Sequence, residues 1–542
     1  MRFQSYAYGT NHWRLDPDLK PVLAQWWGDL RGHEAELDAF GELAGGEAYR
    51  VADHVDHECP PTLVMHDLDG NRVDRARLSP AHEALLRRLA AINRPPYEGG
   101  SWHHHYALGY LLADPGLYCV LIITNQTAYA IHKYAPEHTA WKEKLLAGEA
   151  FGATWLTEIH AGSDLGAIRT VAKRDGPAWR LDGEKYFASG AGLADVAIAT
   201  ARPEGAPEGA KGLALFLLPR LRRDGALNFT VRRLKWKGGT RAVPTGEVDL
   251  SASEAFLIGK PELGIYYALE NLTVARLANS VGAMGLARKA HLEALHRVRA
   301  RSAFGHALQD HPLVRRDLTD LAVRTAAGLA LTFRAVEAFD HCWQLPPPFS
   351  ADYHYARLLA HLAKGRTAEH AAACTQLGVE LFGGLGFLED VAVARLHREA
   401  LVTPIWEGAA NIQALDMLEA MTKKGVAEPF AAEVLDTLAA ALTPEAKLAR
   451  ARVEHALEQL RSLGADALQW HGKETLRTLA DAASVALLYR IAESNGERFG
   501  KLASLAAHHL LGHEEYPAWA VHDREVWDVL PAAHRDPVGT RS

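Results

Sequence analysis

The strongest constraint on the fold is the order in which helical and strand-like patterns follow one another. Residues 1–150 carry apolar residues at helical spacing, for example at 83–92 and 106–112, and we interpret this part as helical. From 151 to 259 short alternating or β-branched runs, such as 196–199 and 213–218, indicate strands. Helical spacing returns after Gly264. A doubly wound sheet needs alternating strands and helices, so this order excludes one and predicts separate helical and β units.

The length of 542 residues leaves room for several packed units. We expect an N-terminal helical domain over 1–150, a central β-domain over 151–259, a helical bundle over 260–420 and an additional helical tail over 421–542. The clearest later helices are expected at 272–300, 313–342, 353–381 and 445–463. Within the β-domain, Asp182-Gly183 predicts a hairpin turn, and Pro207 with Gly209 predicts a loop.

Charge and cysteine content exclude several classes of protein. Lys and Arg total 59 against 66 Asp and Glu, a net charge of −7, so the whole chain lacks the positive field that collects nucleic acid. The tail holds 14 basic and 17 acidic residues, which does not indicate a DNA-binding surface either. Four scattered cysteines are too few for a disulfide framework. With no export signal and no membrane span in sight, we expect a cytoplasmic protein.

Three motifs could suggest metal or nucleotide binding. His54-x-x-His57-x-Cys59 lacks a second spaced pair of ligands, and the adjacent histidines 103–105 would point in different directions on a helix. Packing or surface histidines explain both, and we expect no metal. The glycines at 383–386 follow a helical run, whereas a dinucleotide fingerprint follows a strand.

Four other segments stand at the junctions between the units. They are 156–164 (LTEIHAGSD) at the entry to the β unit, 184–190 (EKYFASG) at a strand end, 299–305 (RARSAFG) at the end of a long helix, and 405–413 (IWEGAANIQ) before an apolar helical run. Singly, each has an ordinary explanation as a turn, core packing, a charged helix end or a helix start. Together, and in this order, they form a far more specific signal.

In that order the segments resemble the marks of the acyl-CoA dehydrogenase family of flavoproteins, T-E-x-x-x-G-S-D, an aromatic-x-[ST] pair, R-x-x-F-G and an aromatic-E-G. The resemblance covers about residues 150–420. The helical lead-in, the tail, W-E-G-x-x-N at 406–411 and F-G-G-x-G at 382–386 resemble the AidB-type adaptive-response branch. The resemblance to this family implies an α+β fold with a helical, a β and a second helical domain. It also implies FAD as cofactor and a homotetramer with FAD bound between subunits.

The resemblance also implies roles for individual residues. Phe187 would pack on the flavin ring, Ser189 would hydrogen-bond near its N5 atom, Thr157 would bond its pyrimidine edge, and Ser163 would contact flavin or substrate. A flat apolar ring edged with acceptors needs such a wall and such donors. The remaining residues assigned to FAD, partly across a subunit boundary, are Arg301, Phe304, Gly384 and Asn411.

The family reaction is α,β-dehydrogenation of an acyl-CoA thioester, and Glu407 aligns with the carboxylate that removes the α-proton. An ordinary glutamate pKa of about 4.3 makes a weak base, so burial must raise the pKa. Trp406 would supply part of the dry wall. Some members carry their base on an earlier helix, where this chain has Ala275 before Arg276. Arg276 either orders Glu407 or the flavin surroundings, or is an ordinary helix-surface arginine.

Two departures from the family pattern concern the cofactor. Pro312 stands where a glutamine commonly follows His311, and Glu380 replaces another glutamine, so both changes remove an amide donor.

The AidB-type branch also carries a second hypothesis, a flavoprotein that binds DNA or deactivates alkylating agents with weak or vestigial dehydrogenase activity. An acyl-CoA or related molecule, a second copy of the chain and an electron-transfer flavoprotein are the expected partners; DNA finds no support in the tail charge.

Overall fold

The computed structural model describes residues 5–512 and 516–530. Its N-terminal part is mostly helical, with α1 Leu19–Trp26, α2 Glu34–Leu43, α3 Tyr49–His57, α4 Pro80–Leu89, α5 Trp102–Leu112, α6 Pro115–Tyr134 and α7 Thr139–Leu146. Side-chain caps decide where α5 and α6 begin. The Ser101 hydroxyl accepts from the His103 N–H at 3.0 Å, and the Asp114 carboxylate accepts from the Leu117 N–H at 3.0 Å. Helix α6 helps to build the cleft described below.

A short hairpin contradicts the expectation of a purely helical N-terminal part. Strand β1 Thr62–His66 pairs antiparallel with β2 Arg72–Arg77. The turn between them is set by Asp67, whose carboxylate accepts from the Asn71 N–H at 2.8 Å, and by Gly70, whose φ is +82°. Local turn chemistry therefore overrides the helical pattern on either side.

The central unit is a sheet of seven strands among the residues that the structure describes. They are β3 Gly152–Trp155, β4 Val171–Asp175, β5 Ala178–Ser189, β6 Val196–Pro203, β7 Ala214–Pro219, β8 Thr230–Leu234 and β9 Thr245–Ile258. The strand order is β3-β6-β4-β5-β9-β7 with β8 on β9, and an additional β6–β7 pairing closes the sheet on itself. Its interior is an apolar cluster that includes Leu181, Phe216 and Val248. Strands β3 and β5 both end toward the candidate site.

The hairpin expected at Asp182-Gly183 is wrong. Both residues lie inside β5, and the chain turns instead before this strand, at Gly176 with φ +60°. The register of β5 against β9 shifts between Leu181 and Gly183, which marks a β-bulge. A Cβ at Gly183 would lie 2.4 Å from the Thr170 hydroxyl, so the glycine serves a close approach rather than a turn.

The C-terminal bundle forms around α8, Gly264–Ala300, with α9 Pro312–Cys342, α10 Ala351–Phe382, α11 Ala392–Ala400 and α12 Ala410–Lys423. Helix α8 is buried along most of its length because it packs against α5 and α6 on one side and α9 and α10 on the other. Small residues permit this approach: a Cβ at Gly285 would lie 2.8 Å from the Tyr110 carbonyl oxygen. The bundle and the N-terminal helices therefore share one core.

The tail is helical as predicted, with α13 Ala427–Ala441, α14 Pro444–Ser462, α15 Ala465–Asn495, α16 Glu497–Ala506 and α17 Arg524–Trp527. It packs on the bundle mainly through α15, whose buried Asp481 pairs with Arg366 of α10 at 2.6 Å. The predicted succession of helices, sheet and helices is confirmed, whereas the exact domain boundaries stay a prediction. Within the described ranges, no helix is both long and apolar enough to cross a membrane.

The bulge at Gly183 generates a stability prediction. Gly183→Ala should lower the free energy of unfolding by about 1–3 kcal/mol, because the added methyl group overlaps Thr170 in a packed sheet. Gly238→Ala is the matched control, since a Cβ there meets no atom within 4 Å. Urea unfolding followed by circular dichroism measures both, and equal stability of the two variants would contradict a steric role for Gly183.

Candidate functional site

A cleft of about 420 Å³ opens between α6, α8 and the loop before α12. Most of its lining is apolar, and Glu407 supplies the acidic group. The residues around it are Pro115, Tyr118, Cys119, Ile122, Ile123, Ala275, Ala278, Asn279, Gly282, Ala283, Thr403, Trp406 and Glu407. The small residues of α8 leave the space, and Trp406 is fixed at the wall by a hydrogen bond from its indole N–H to the Asn279 side-chain oxygen. A slender apolar molecule would fit here with its reacting carbon near a carboxylate.

Glu407 lies on a loop whose backbone adopts a rare conformation. Its φ is +58° and that of Gly408 is +93°, and the former costs a residue with a side chain about 1–3 kcal/mol. Three buried side chains capture the two carbonyl oxygens. Arg276 Nε donates to the Glu407 oxygen at 3.0 Å, and Lys364 Nζ donates to the Gly408 oxygen at 2.7 Å. Gln413 Nε2 reaches both, at 3.0 and 2.9 Å, so α8, α10 and α12 together position the loop.

The same side chains set the electrostatics of Glu407. Burial raises the pKa of its carboxyl group, and the nearby charges of Arg276 and Lys364 oppose that rise. Burial also lowers the pKa of the Lys364 ammonium to about 7. Arg276 is 2% exposed and pairs with Asp416, its Nη2 lying 3.2 Å from Oδ2. Glu407 therefore titrates closer to neutrality than an exposed glutamate, which suits a group that takes up a proton.

Three of the residues predicted to hold the cofactor come together at the ends of β3 and β5. The Tyr186 N–H donates to the Thr157 carbonyl oxygen at 2.8 Å, which places Thr157 beside Phe187. The Phe187 side chain is 59% exposed on a backbone with φ +55°. Ser189 is half-buried, and its carbonyl oxygen accepts from the Trp155 indole N–H at 2.9 Å. An exposed ring held in a strained conformation is typical of a binding surface rather than of core packing.

Cys119 connects this strand-end surface with the cleft. It lines the cleft, its thiol contacts the Ser189 hydroxyl, and burial raises its pKa to about 12. The Ser189 hydroxyl lies 3.3 Å from that of Thr245, which accepts from Lys237 Nζ at 3.1 Å. Burial lowers the pKa of Lys237 to about 8. Because Cys119 lines the same cleft as Glu407 and its thiol contacts the Ser189 hydroxyl, Ser189 and Glu407 border one continuous site.

The TEIHAGSD segment divides into an exposed and a buried part. Ser163 is exposed. Glu158 is buried: its carboxylate accepts from Lys185 Nζ at 2.9 Å and from the Arg169 N–H at 2.7 Å. This ion pair ties the segment to β5, so Glu158 has a structural role that the sequence analysis missed.

The other residues predicted to bind cofactor stand apart from the cleft. Arg301 ends α8, about 37 Å along the helix axis from Arg276 at 1.5 Å per residue. It is exposed, as are Gly384 and, at 94%, the Phe304 ring. Asn411 is also exposed but begins α12, next to the Glu407 loop. One chain thus presents two separate groups of candidate cofactor residues.

The two departures from the family pattern have different consequences. Pro312 occupies the first turn of α9, where a missing N–H leaves no hydrogen bond unmade, so this change does not disturb the helix. Glu380 accepts from the Gln376 amide at 3.1 Å. Burial together with the charges of Asp320 and Glu380 raises the pKa of Asp317 to about 6. The surface near Glu380 is therefore acidic.

Lys364, Gln413 and Asn279 were missed by sequence reasoning, although each helps to hold the Glu407 loop or Trp406. The one available signal was that Lys364 directly follows the largely apolar run of residues 358–363, because a lysine buried with such a run needs a partner. The partner is a backbone carbonyl oxygen 44 residues away, which no local pattern indicates.

Comparison with known proteins agrees with this geometry. Residues 153–253 and 262–422 match the family models of the acyl-CoA dehydrogenase middle and C-terminal domains, and 4–150 match the adaptive response protein AidB N-terminal domain. Acyl-CoA dehydrogenase family member 11 of Caenorhabditis elegans is 32% identical over 477 residues, 83% of this chain and 76% of the relative. The putative acyl-CoA dehydrogenase AidB of Escherichia coli is 28% identical over 393 residues, 67% and 70% of the two chains.

Solved structures extend the likeness to the whole chain. The C. elegans ACDH-11 structure in complex with C11-CoA has a TM-score of 0.83 at 26% identity and covers 97% of this chain and 94% of that one. The Bd2924 apo-form has a TM-score of 0.80 at 27% identity, covering 90% and 100%. The predicted fold class and family are confirmed. The chain belongs to the acyl-CoA dehydrogenase family of FAD-dependent oxidoreductases, with an N-terminal domain of the AidB type.

Proposed function

We propose that Glu407 is the base that removes the α-proton of an acyl-CoA thioester in the cleft. The observation that carries the proposal is a carboxylate with a raised pKa at the wall of an otherwise apolar cleft. In the reaction the Cα–H bond gives its proton to Glu407, the β-carbon loses a hydride to the oxidant, and a Cα=Cβ double bond forms. FAD, when bound, supplies the two-electron acceptor.

The residues at the strand ends fit a flavin. The exposed Phe187 ring offers a flat apolar face, and the Ser189 and Thr245 hydroxyls together with the Thr157 side chain offer polar partners for the rim of the ring system. Lys235 Nζ lies 4.7 Å from the Phe187 ring centroid, which adds a positive charge beside this face. These groups and the cleft border one site, so a ring held here would face the acyl chain.

The residues of the chain remove the α-proton and set the polarity of the surroundings of Glu407. The apolar wall excludes water and raises the pKa of Glu407, while the charges of Arg276 and Lys364 oppose that rise. The captured backbone fixes the direction in which the carboxylate points. Arg276 and Lys364 are positioning residues, because they bond the loop rather than the cleft's contents.

A second copy of the chain would complete the cofactor site. Arg301, Phe304 and Gly384 are exposed and far from the Glu407 cleft of their own chain, which is the arrangement expected if they serve FAD bound to a neighbouring subunit. A guanidinium fork suits the pyrophosphate and an exposed aromatic ring suits the adenine. This supports the homotetramer inferred from the family resemblance, and in such an assembly oligomerisation contributes to FAD affinity.

The substrate and partner classes follow from the relatives. The C. elegans neighbour was solved in complex with C11-CoA, and the family resemblance implies an electron-transfer flavoprotein as partner. We propose an acyl-CoA substrate, with an electron-transfer flavoprotein as the acceptor of its electrons.

A DNA alkylation response is the second hypothesis, supported by the AidB-type N-terminal match. The tail does not strengthen it, because Arg450 and Arg477 already pair with Glu454 and Glu369. A cytoplasmic location also stays a prediction.

Removal of the base tests the central proposal. Glu407→Gln should keep bound FAD but lose at least about 100-fold in α-proton removal, because the amide cannot accept the proton. The measurements are flavin bleaching on anaerobic addition of acyl-CoA and exchange of the substrate α-proton with deuterated solvent. Glu474→Gln, a change on the exposed tail, is the control. Unchanged exchange in Glu407→Gln would contradict the assignment of the base, and no bleaching of the parent protein with short, branched and long acyl-CoAs would contradict the reaction.

Lys364 generates a prediction about pH dependence. Lys364→Met removes a positive charge that holds the pKa of Glu407 down, so that pKa should rise further and the acidic limb of the rate profile should move upward by about one pH unit. Lys364→Arg, which keeps a charge, should leave the limb near its original position. Lys289→Met is the matched control for losing a buried lysine, since Lys289 bonds the Leu112 and Ala113 carbonyls instead. An unmoved limb in Lys364→Met would contradict the electrostatic role.

The shared cofactor site is tested at the exposed end of α8. Arg301→Ala and Phe304→Ala should each lower FAD retention during gel filtration and the molar mass measured by light scattering, because both contacts would lie across a subunit boundary. Leu68→Ala, at a fully exposed position in the N-terminal hairpin, should change neither. Full retention of FAD and of mass in both α8 variants would show that this surface does not serve the cofactor.

A further inference from the structure

Two histidines and a glutamate come together at the surface between α2 and α5, away from the Glu407 cleft. They are His33, Glu36 and His104, whose candidate ligand atoms all lie within 4.8 Å of one another. His33 and Glu36 stand three residues apart at the start of α2, so both project from one side of that helix. His104 comes from the first turn of α5, and its Nε2 lies 3.1 Å from the Glu36 carboxylate.

Only one member of the histidine triplet takes part, as the divergent directions on a helix require. His103 Nδ1 lies 2.9 Å from the Ser101 hydroxyl, and His105 Nδ1 lies 2.9 Å from the Ile92 carbonyl oxygen. His104 turns the other way, toward α2. The three adjacent histidines are visible in the sequence, but the partners of His104 are not, because His33 and Glu36 lie about 70 positions earlier in the chain.

The charges around the cluster favour a cation. On α2 the neighbouring acids are already paired, Glu34 with Lys20 at 2.9 Å and Asp38 with Arg14 at 2.6 Å. Among the described side chains, no lysine or arginine pairs with Glu36, which faces His104 instead.

The walls of the cluster hold the rings in place. The Trp27 ring stacks on His33 with centroids 4.3 Å apart, and His33 meets His104 edge to face at 5.0 Å. His104 is 8% exposed, whereas Glu36 is exposed, so one side stays open to water. Two imidazoles and a carboxylate with an open fourth position form the ligand set of tetrahedral zinc.

A second cluster with similar donors lacks these properties. His57 lies 3.0 Å from Glu389, but Asp56 and Glu389 also bind the Arg398 guanidinium, which already occupies the space between the carboxylates. Hydrogen bonds between the His57 ring and the carboxylates of Asp53 and Glu389 raise the pKa of His57 to about 9. The His57 ring is therefore protonated at neutral pH. This group is an ion-pair network rather than a metal site.

We propose that His33, Glu36 and His104 bind one zinc-class divalent ion, which links α2 to α5. The ion would take the Nε2 or Nδ1 atoms of the two rings and one Glu36 oxygen, with water completing the tetrahedron. Because α5 packs on the central helix α8, the ion would stabilise the folded N-terminal domain. The site is separate from the catalytic cleft and independent of the reaction proposed for it.

The test uses the full-length flavoprotein without an affinity tag, stripped with a chelator and dialysed. Zn²⁺ alone should bind at one equivalent per chain and raise the melting temperature as its concentration increases, and Co²⁺ should give the visible absorption of a tetrahedral site. His33→Gln and Glu36→Gln, at positions that are not fully buried, should each weaken binding by at least about tenfold and abolish the Co²⁺ bands.

His471→Gln is the matched control. His471 and Glu474 have the same three-residue spacing and lie 3.5 Å apart, but no third ligand among the described residues joins them, so this change should leave Zn²⁺ binding unaltered. His104→Gln gives a further arm, read only in a preparation whose circular dichroism matches the parent. Binding of less than one equivalent by the parent protein, or unchanged affinity in both His33→Gln and Glu36→Gln, would overturn the proposal.

Discussion

The backbone of two residues, Glu407 and Gly408, is captured by buried side chains from three helices, and the candidate active site depends on that capture. Arg276, Lys364 and Gln413 each lose contact with water when the bundle packs, and a buried donor without an acceptor is costly. The two carbonyl oxygens are the acceptors that relieve this cost. The loop and the bundle therefore stabilise each other, and the carboxylate receives its position as a result.

This arrangement separates two tasks that usually conflict. An apolar cleft favours binding of an acyl chain, but it also favours the neutral, protonated form of a carboxylate. Nearby cations favour the ionised carboxylate, but they attract water. Here the cations bond the backbone behind Glu407, and the apolar residues of α6 and α8 line the space in front of it. The Glu407 carboxylate thus faces an apolar space with little water, while the cations behind its backbone stabilise its negative charge.

Periodic features could be predicted from sequence, and features built from distant residues could not. The long helices α8, α9 and α10 have strong apolar repeats, and their positions were predicted closely. The Asp182-Gly183 pair looked like a turn because the reason for its glycine, a close approach to Thr170, is visible only once β5 pairs with β4. Phe187, Ser189 and Glu407 were proposed from the family resemblance, whereas the acceptor of Lys364 is a distant carbonyl oxygen that no local pattern indicates. Likewise, only His104 of its cluster lay in a visible motif.

Helix α8 carries the cleft wall in its middle and Arg301 at its end, with no break between them. An α-helix advances about 100° per residue, so inserting or deleting a single residue between Gly282 and Arg301 would swing the terminal loop a quarter-turn or more about the axis. A single-residue change in the length of this segment would therefore turn Arg301 away from its present direction relative to the cleft wall, whereas a substitution that keeps the helix intact would not.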